Sequence, residues 1–162
     1  MQGFFRSVLN QLFPVSCVVC RRGDAFLCAP CLLSVEFASA EQEIEGLWVQ
    51  SAMTYDQPVI AAVLQAWKYE GIHGSIKPLF GRISGDDIEA DILVPVPLHR
   101  RRLLERGFNQ AENLAEALSV KTTIPVVSSL KRIRYTAPQA KKDGEERRKN
   151  VKDSSIWKGE HI

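Results

Sequence analysis

All four cysteines of the 162-residue chain fall in one short segment, "CVVCRRGDAFLCAPC", as Cys17, Cys20, Cys28 and Cys31. The spacing is C-x2-C-x7-C-x2-C. Each C-x2-C pair can form a turn whose backbone N–H groups face the thiolates. Two such pairs supply four sulfur ligands, a closed tetrahedral set that suits structural Zn2+ and leaves no open position for catalysis. The spacer "RRGDAFL" is long enough to fold back as a hairpin with Gly23 and Asp24 at its tip. Two disulfides, an iron–sulfur centre or a metal-free relic are the competing assignments. The N-terminal stretch "MQGFFRSVLNQLFPVSC" is broken by Arg6, Ser7, Asn10 and Gln11 and has no basic leader. It therefore lacks the pattern of a secretory signal, so a cytoplasmic setting is expected, and its reducing conditions argue against disulfides.

A second concentration of chemistry lies in "VPVPLHRRRLLERGFNQ", Val94 to Gln110. The sequence predicts a strand, a loop and a helix in that order. "DILVPVP" is a continuous apolar run, as expected of a strand buried on both faces of a parallel sheet. His99, Arg100, Arg101, Arg102 and Arg106 then fall on the loop. Asn109 is a candidate N-cap, with Glu112 three residues on as in a capping box. A loop at the carboxyl end of a parallel strand is where open α/β folds bind ligands, and guanidinium forks there can hold phosphate or pyrophosphate. The bland alternative is a solvated basic turn. His99 is expected to meet phosphate or solvent rather than to act as a general base; His73 and His161 have no partners at metal-like spacing.

The elements that position these residues follow from periodicity. The composition, 45% hydrophobic and 25% charged with a net charge of +2, is that of a globular chain and not of a polycation. Charge is nonetheless uneven. Val35 to Asp56 carries Glu36, Glu41, Glu43, Glu45 and Asp56 without a basic residue, and Lys131 to Lys152 is rich in Lys and Arg. No apolar run approaches the roughly 20 residues of a membrane span. Phe4, Phe5, Val8, Leu9 and Leu12 predict a short amphipathic helix. "LLSVEFASAEQEIEG" predicts a helix and linker, "LWVQSAMTYDQP" a strand, and "VIAAVLQAWKYEG" a helix ended by Gly71. "IHGSIKPLFGRISG" predicts a short helix, "NQAENLAEALS" a helix, "IPVVSSLKRIR" a strand, and "AKKDGEERRKNV" a polar loop running into a charged helix. Trp48 and Trp67 are expected in the core. The alternation predicts a main α/β domain over 46–162, preceded by a small cysteine module over 1–45.

Taken together, the motifs resemble the ComF/GntX family of bacterial competence-associated, phosphoribosyltransferase-like proteins. The resemblance rests on the four-cysteine motif, on "VLQAWKYEG", on "ILVPVPLHRRRLLERGFNQAENLA", and on "LKRIRYTAPQAKKDGEERRKNV", which matches an R-x3-T-x2-Q…R-x2-N-V pattern. It implies a type I phosphoribosyltransferase fold, a mostly parallel sheet with helices on both sides. It also implies a pyrophosphate-binding segment comprising Pro97, Leu98, His99, Arg100, Arg101, Arg102, Arg106, Gly107, Asn109 and Gln110. A flexible loop that closes over the site would carry Arg132, Thr136, Gln139, Arg147 and Asn150. The chemistry of such folds is displacement of pyrophosphate from phosphoribosyl pyrophosphate, with Mg2+ screening the diphosphate.

These enzymes also carry a later V-D-D-x-x-T-T-G-type strand and loop, which holds the ribose hydroxyls and the 5'-phosphate. The chain has no such segment before it ends in "KDSSIWKGEHI". The parallel sheet is accordingly expected to be C-terminally incomplete, phosphoribosyl pyrophosphate to bind weakly, and the chain to be inactive as an enzyme in this form. The competence link implies instead a partner such as single-stranded DNA or a DNA-translocating helicase. Lys131, Arg132, Arg134, Lys141, Lys142, Arg147, Arg148 and Lys149 would then track phosphates, with Tyr135 or Trp157 stacking on bases.

Overall fold

The computed structural model describes residues 15–23, 25–37, 40–69, 76–86, 88–136 and 144–158. Six helices and four strands are defined among them: α1 (Ala29–Leu33), β1 (Ala40–Ile44), β2 (Leu47–Ser51), α2 (Pro58–Tyr69), α3 (Lys77–Phe80), α4 (Arg100–Arg106), α5 (Gln110–Thr122), β3 (Leu130–Arg132), α6 (Gly144–Val151) and β4 (Ser155–Trp157). The chain divides into two compact units, Met1–Ile83 and Ser84–Ile162. The expected boundary at 45/46 falls in the β1–β2 turn, inside the first unit. The helix expected over residues 4–12, Gly71 and Gln139 lie outside the described residues.

In the first unit the apolar face of α2 supplies Ile60, Val63, Ala66 and Trp67 to a core completed by Ile76, Leu79, Phe80 and Ile83. Trp67 meets Phe80 edge to face, with ring centroids 5.3 Å apart. Two polar side chains tie the cysteine module to this core. The Gln57 amide bonds both backbone groups of Glu36, each at 2.9 Å, just ahead of α2. Arg82 donates to the Leu32 carbonyl at the end of α1 and stacks its guanidinium 4.7 Å from the Phe37 ring.

Residues 40–51 form an antiparallel hairpin, Ala40 opposite Ser51 and Ile44 opposite Leu47, where the sequence predicts a helix and linker ahead of β2. The cause is the Glu45-Gly46 turn. Both residues take positive φ, 54° and 79°, as a two-residue turn that matches strand twist requires. A Cβ on Gly46 would meet nothing within 4 Å, so the demand there is on backbone conformation alone. Trp48 projects from this hairpin 80% exposed and is not a core residue; Trp67 is buried as expected.

In the second unit Leu93 and Val126 form a parallel bridge, through Leu93 N–H to Pro125 O and Val127 N–H to Leu93 O, both 2.9 Å. α4 and α5 lie between these partners in sequence, so the connection is a β–α–β crossover in kind. The bridge does not widen into a ladder among the described residues. The next donor in register on that side belongs to residue 95, a proline with no N–H. The apolar run is therefore mostly half-buried, with Val96 largely exposed, and is not enclosed on both faces. The sheets that do form are antiparallel pairs, here β3 with β4, Leu130 opposite Trp157 and Arg132 opposite Ser155. The architecture is thus mixed α and β with small antiparallel sheets.

Asn109 fastens the start of α5 to the extended run. Its Oδ1 accepts from Ala111 N–H and its Nδ2 donates to the Val96 carbonyl, both at 3.1 Å, and the side chain is buried. Replacing Asn109 by Ala removes the cap and leaves a carbonyl without its donor, an expected loss of about 2–4 kcal/mol in denaturant unfolding. Asn109→Ser, which keeps a capping oxygen but loses the reach to Val96, should fall between the two.

Candidate functional site

The first site is built by two turns. Cys17 N–H donates to Arg22 O and Arg21 N–H to Cys17 O, closing a knuckle in which Arg21 takes φ 62°. Ser16 pairs with Gly23 across its base. The chain therefore reverses over Cys17–Arg22, a turn that contains the first cysteine pair, and Gly23 sits on the paired stem and not at a hairpin tip; Asp24 lies outside the described residues. The second pair uses α1. Cys28 is its N-cap, Pro30 stands in the first turn where its missing N–H costs nothing, and Cys31 follows on the helix.

The result is a single cluster in which the Sγ atoms of Cys17, Cys20, Cys28 and Cys31 all lie within 4.8 Å of one another. The Cys20 and Cys28 sulfurs are 3.5 Å apart, and all four residues are free of disulfides. A disulfide needs about 2.05 Å between sulfurs. Four thiolates at about 2.3 Å from one tetrahedral ion would stand roughly 3.8 Å apart. The separations match the second geometry and exclude the first in this arrangement. Burial opposes ionisation of Cys17, yet hydrogen bonds from the backbone of Cys20, Cys28 and Val19 hold its thiol down at about 6. Burial, the thiols of Cys28, Cys20 and Cys17, and the charge of Cys17 push Cys31 up to about 12. Cys17 forms a thiolate readily, and Cys31 keeps a proton that a divalent cation would displace.

The second site departs from the expected basic loop. Arg100–Arg106 is a helix, α4. Arg, Leu and Glu are good helix formers, Arg101 pairs with Glu105 one turn on at 3.1 Å, and Gly107 caps the end at φ 79°. His99 is the N-cap, its Nδ1 accepting from Arg101 N–H at 3.2 Å, which leaves the other ring nitrogen as the donor. Pro97 and Leu98 are half-buried in the extended lead-in, and Arg100 is exposed. Arg106 bonds Gln110 Oε1 at 3.1 Å, and Gln110 Nε2 is buried with no acceptor among the described residues.

Residues from both expected segments do converge. Arg102 donates to the Thr136 carbonyl at 3.0 Å and Arg132 to the Thr136 hydroxyl at 2.9 Å. Thr136 is buried. Burial, then the charges of Arg102 and Arg134, lower the pKa of Arg132 below the ordinary guanidinium value. Neither Arg102 nor Arg132 meets a carboxylate among the described residues. Two residues that the sequence reading named only as nucleic-acid contacts complete the cluster. Tyr135 packs its ring 5.0 Å from the Arg101 guanidinium and 5.9 Å from that of Arg102, with His99 edge-on at 5.4 Å. Arg134 bonds the carbonyls of Asn150 and Lys152 at the end of α6. Arg147 belongs to α6, and Asn150 contributes its carbonyl.

No helix among the described residues is long and apolar enough to cross a membrane. No protein-family model matches the chain, and no solved structure matches it. Over 65 residues, 40% of its length, the chain is 35% identical to Competence protein F of Haemophilus influenzae. The matched stretch spans 28% of that protein. This likeness bears out the ComF resemblance drawn from the sequence motifs.

Proposed function

We propose that the chain is a ComF-like, competence-associated protein whose first unit is stapled by a structural zinc ion and whose second unit is a phosphoribosyltransferase-like module that binds a sugar diphosphate. The observation that carries the ligand reading is the convergence of Arg102 and Arg132 on Thr136, with no carboxylate paired to either among the described residues. Like charges gathered in a partly buried place call for an anion, and guanidinium forks are shaped for phosphate oxygens. The β–α–β connection closed at Leu93 and Val126 supports the parallel-sheet ancestry of this unit. Mg2+ would arrive on the diphosphate oxygens of the ligand. The proposal is one of binding, and turnover forms no part of it.

The closed four-sulfur set explains the zinc assignment. Such a site stabilises the fold and leaves no coordination position for substrate. Protein purified without chelator should carry one zinc per chain, and Cys17→Ser should lose that zinc together with the cooperative melting of the first unit. Four thiols titrating freely in metal-poor native protein would contradict the assignment. Calorimetry with phosphoribosyl pyrophosphate and Mg2+ tests the second unit. Arg102→Gln removes a charge-assisted contact and should weaken binding about 10- to 100-fold. Equal affinity in both proteins would contradict the arginine site.

Nucleic-acid binding is a second reading, favoured by Tyr135 and Trp157, which are 40% and 51% exposed in the same unit as the cations. An unstructured oligonucleotide should then bind with an affinity that falls steeply with salt. Affinity indifferent to salt would set this reading aside.

A further inference from the structure

The cluster around Thr136 poses a mechanical question that its charges do not answer. Arg101 and Arg102 are neighbours on α4, and successive helix positions project about 100° apart. Left to themselves, two such long side chains would point to different sectors of solvent. Arg101 is well exposed, and its ion pair with Glu105 lies on the helix surface, where such pairs are worth little. Yet both guanidinium groups come within 6 Å of one ring, that of Tyr135. The same ring takes the His99 imidazole edge-on. One aromatic side chain on the segment after β3 therefore gathers the N-cap and two successive cations of α4. The adjacent Thr136 then fixes Arg102 by its carbonyl and Arg132 by its hydroxyl.

We infer that Tyr135 is a positioning residue, whose ring face orders the Arg101 and Arg102 guanidinium groups against α4 so that they meet a diphosphate anion together with Arg132. This rests on the anion-binding reading of the site. The interaction is cation–π in kind, so it depends on the ring and not on the phenol hydroxyl. Each guanidinium that is ordered beforehand loses less rotamer freedom when the anion arrives, which appears as affinity. Phe should therefore replace Tyr135, and an aliphatic residue of similar bulk should not.

The experiment uses the full chain as wild type, Tyr135→Phe, Tyr135→Leu and Arg102→Gln, with inorganic pyrophosphate as the titrant. Before any ligand is added, the Nε–H signals of Arg101 and Arg102 in 15N spectra should be shifted by the aromatic ring in wild type and Tyr135→Phe. They should collapse toward free-arginine positions in Tyr135→Leu. Pyrophosphate affinity should stay within about twofold in Tyr135→Phe and fall about 3- to 30-fold in Tyr135→Leu, the range expected of one or two cation–π contacts. Unfolding curves that coincide for the Phe and Leu variants would confine the loss to the site. If Tyr135→Leu binds like wild type while Arg102→Gln does not, the positioning role is overturned and the anion site survives. If wild type binds no pyrophosphate, the anion site falls and this role falls with it. Undisplaced arginine signals in the wild type would also overturn the role directly, with or without ligand.

Discussion

Guanidinium groups repel one another, and the second unit spends its most specific contacts holding several of them in one place. Two unit charges 4 Å apart repel by roughly 4 kcal/mol at the effective dielectric of a protein surface. Arg102 and Arg132 nonetheless share Thr136, one on its carbonyl and one on its hydroxyl, and burial, then the charges of Arg102 and Arg134, lower the pKa of Arg132. The local architecture follows from that requirement. α4 must be capped at His99 to carry Arg101 and Arg102 to Tyr135. Asn109 must tie α5 to the extended run so that the start of α4 has a fixed base. Arg134 must anchor the segment after β3 to the end of α6. The proposed anion is what would relieve that repulsion.

The first unit solves a different problem with different means. Its cysteine segment is short and buries few large side chains of its own, among them Leu27 and Val35. Segments this small rarely hold a fold by apolar burial alone. Four sulfurs within 4.8 Å of one another are placed to supply that cohesion through the proposed metal ion. Gln57 and Arg82 then connect that module to the packed helices α2 and α3 through hydrogen bonds to backbone, which fix geometry without demanding more apolar surface.

Much of this was legible in the residues. The apolar periodicity of α2, the capping asparagine of α5, the charged helix α6 and the clustering of four thiols each follow from local rules that tertiary structure did not override. The rest was hidden for physical reasons. The β1–β2 hairpin turns on Glu45 at positive φ, a conformation that sequence rules reserve for Gly, Asn and Asp. α4 was concealed because three arginines after an apolar run read as a phosphate-binding loop, although their backbone preference is helical and a histidine can cap them. β4 is only three residues long and owes its existence to β3. The "DILVPVP" run looked like a central strand, yet its prolines withhold the donors that a ladder needs. The meeting of Arg102 with Thr136 spans 34 residues of sequence, and no local pattern encodes a contact at that range.

The convergence of Arg102 and Arg132 on one anion is the claim on which the rest turns, and a double-mutant cycle tests it most directly. Pyrophosphate affinity would be measured for wild type, Arg102→Gln, Arg132→Gln and the double variant. Two guanidinium groups that grip the same anion are coupled, so the double variant should lose measurably less than the sum of the two single losses, by more than about 0.5 kcal/mol. Strictly additive losses, or none in either single variant, would contradict a shared site.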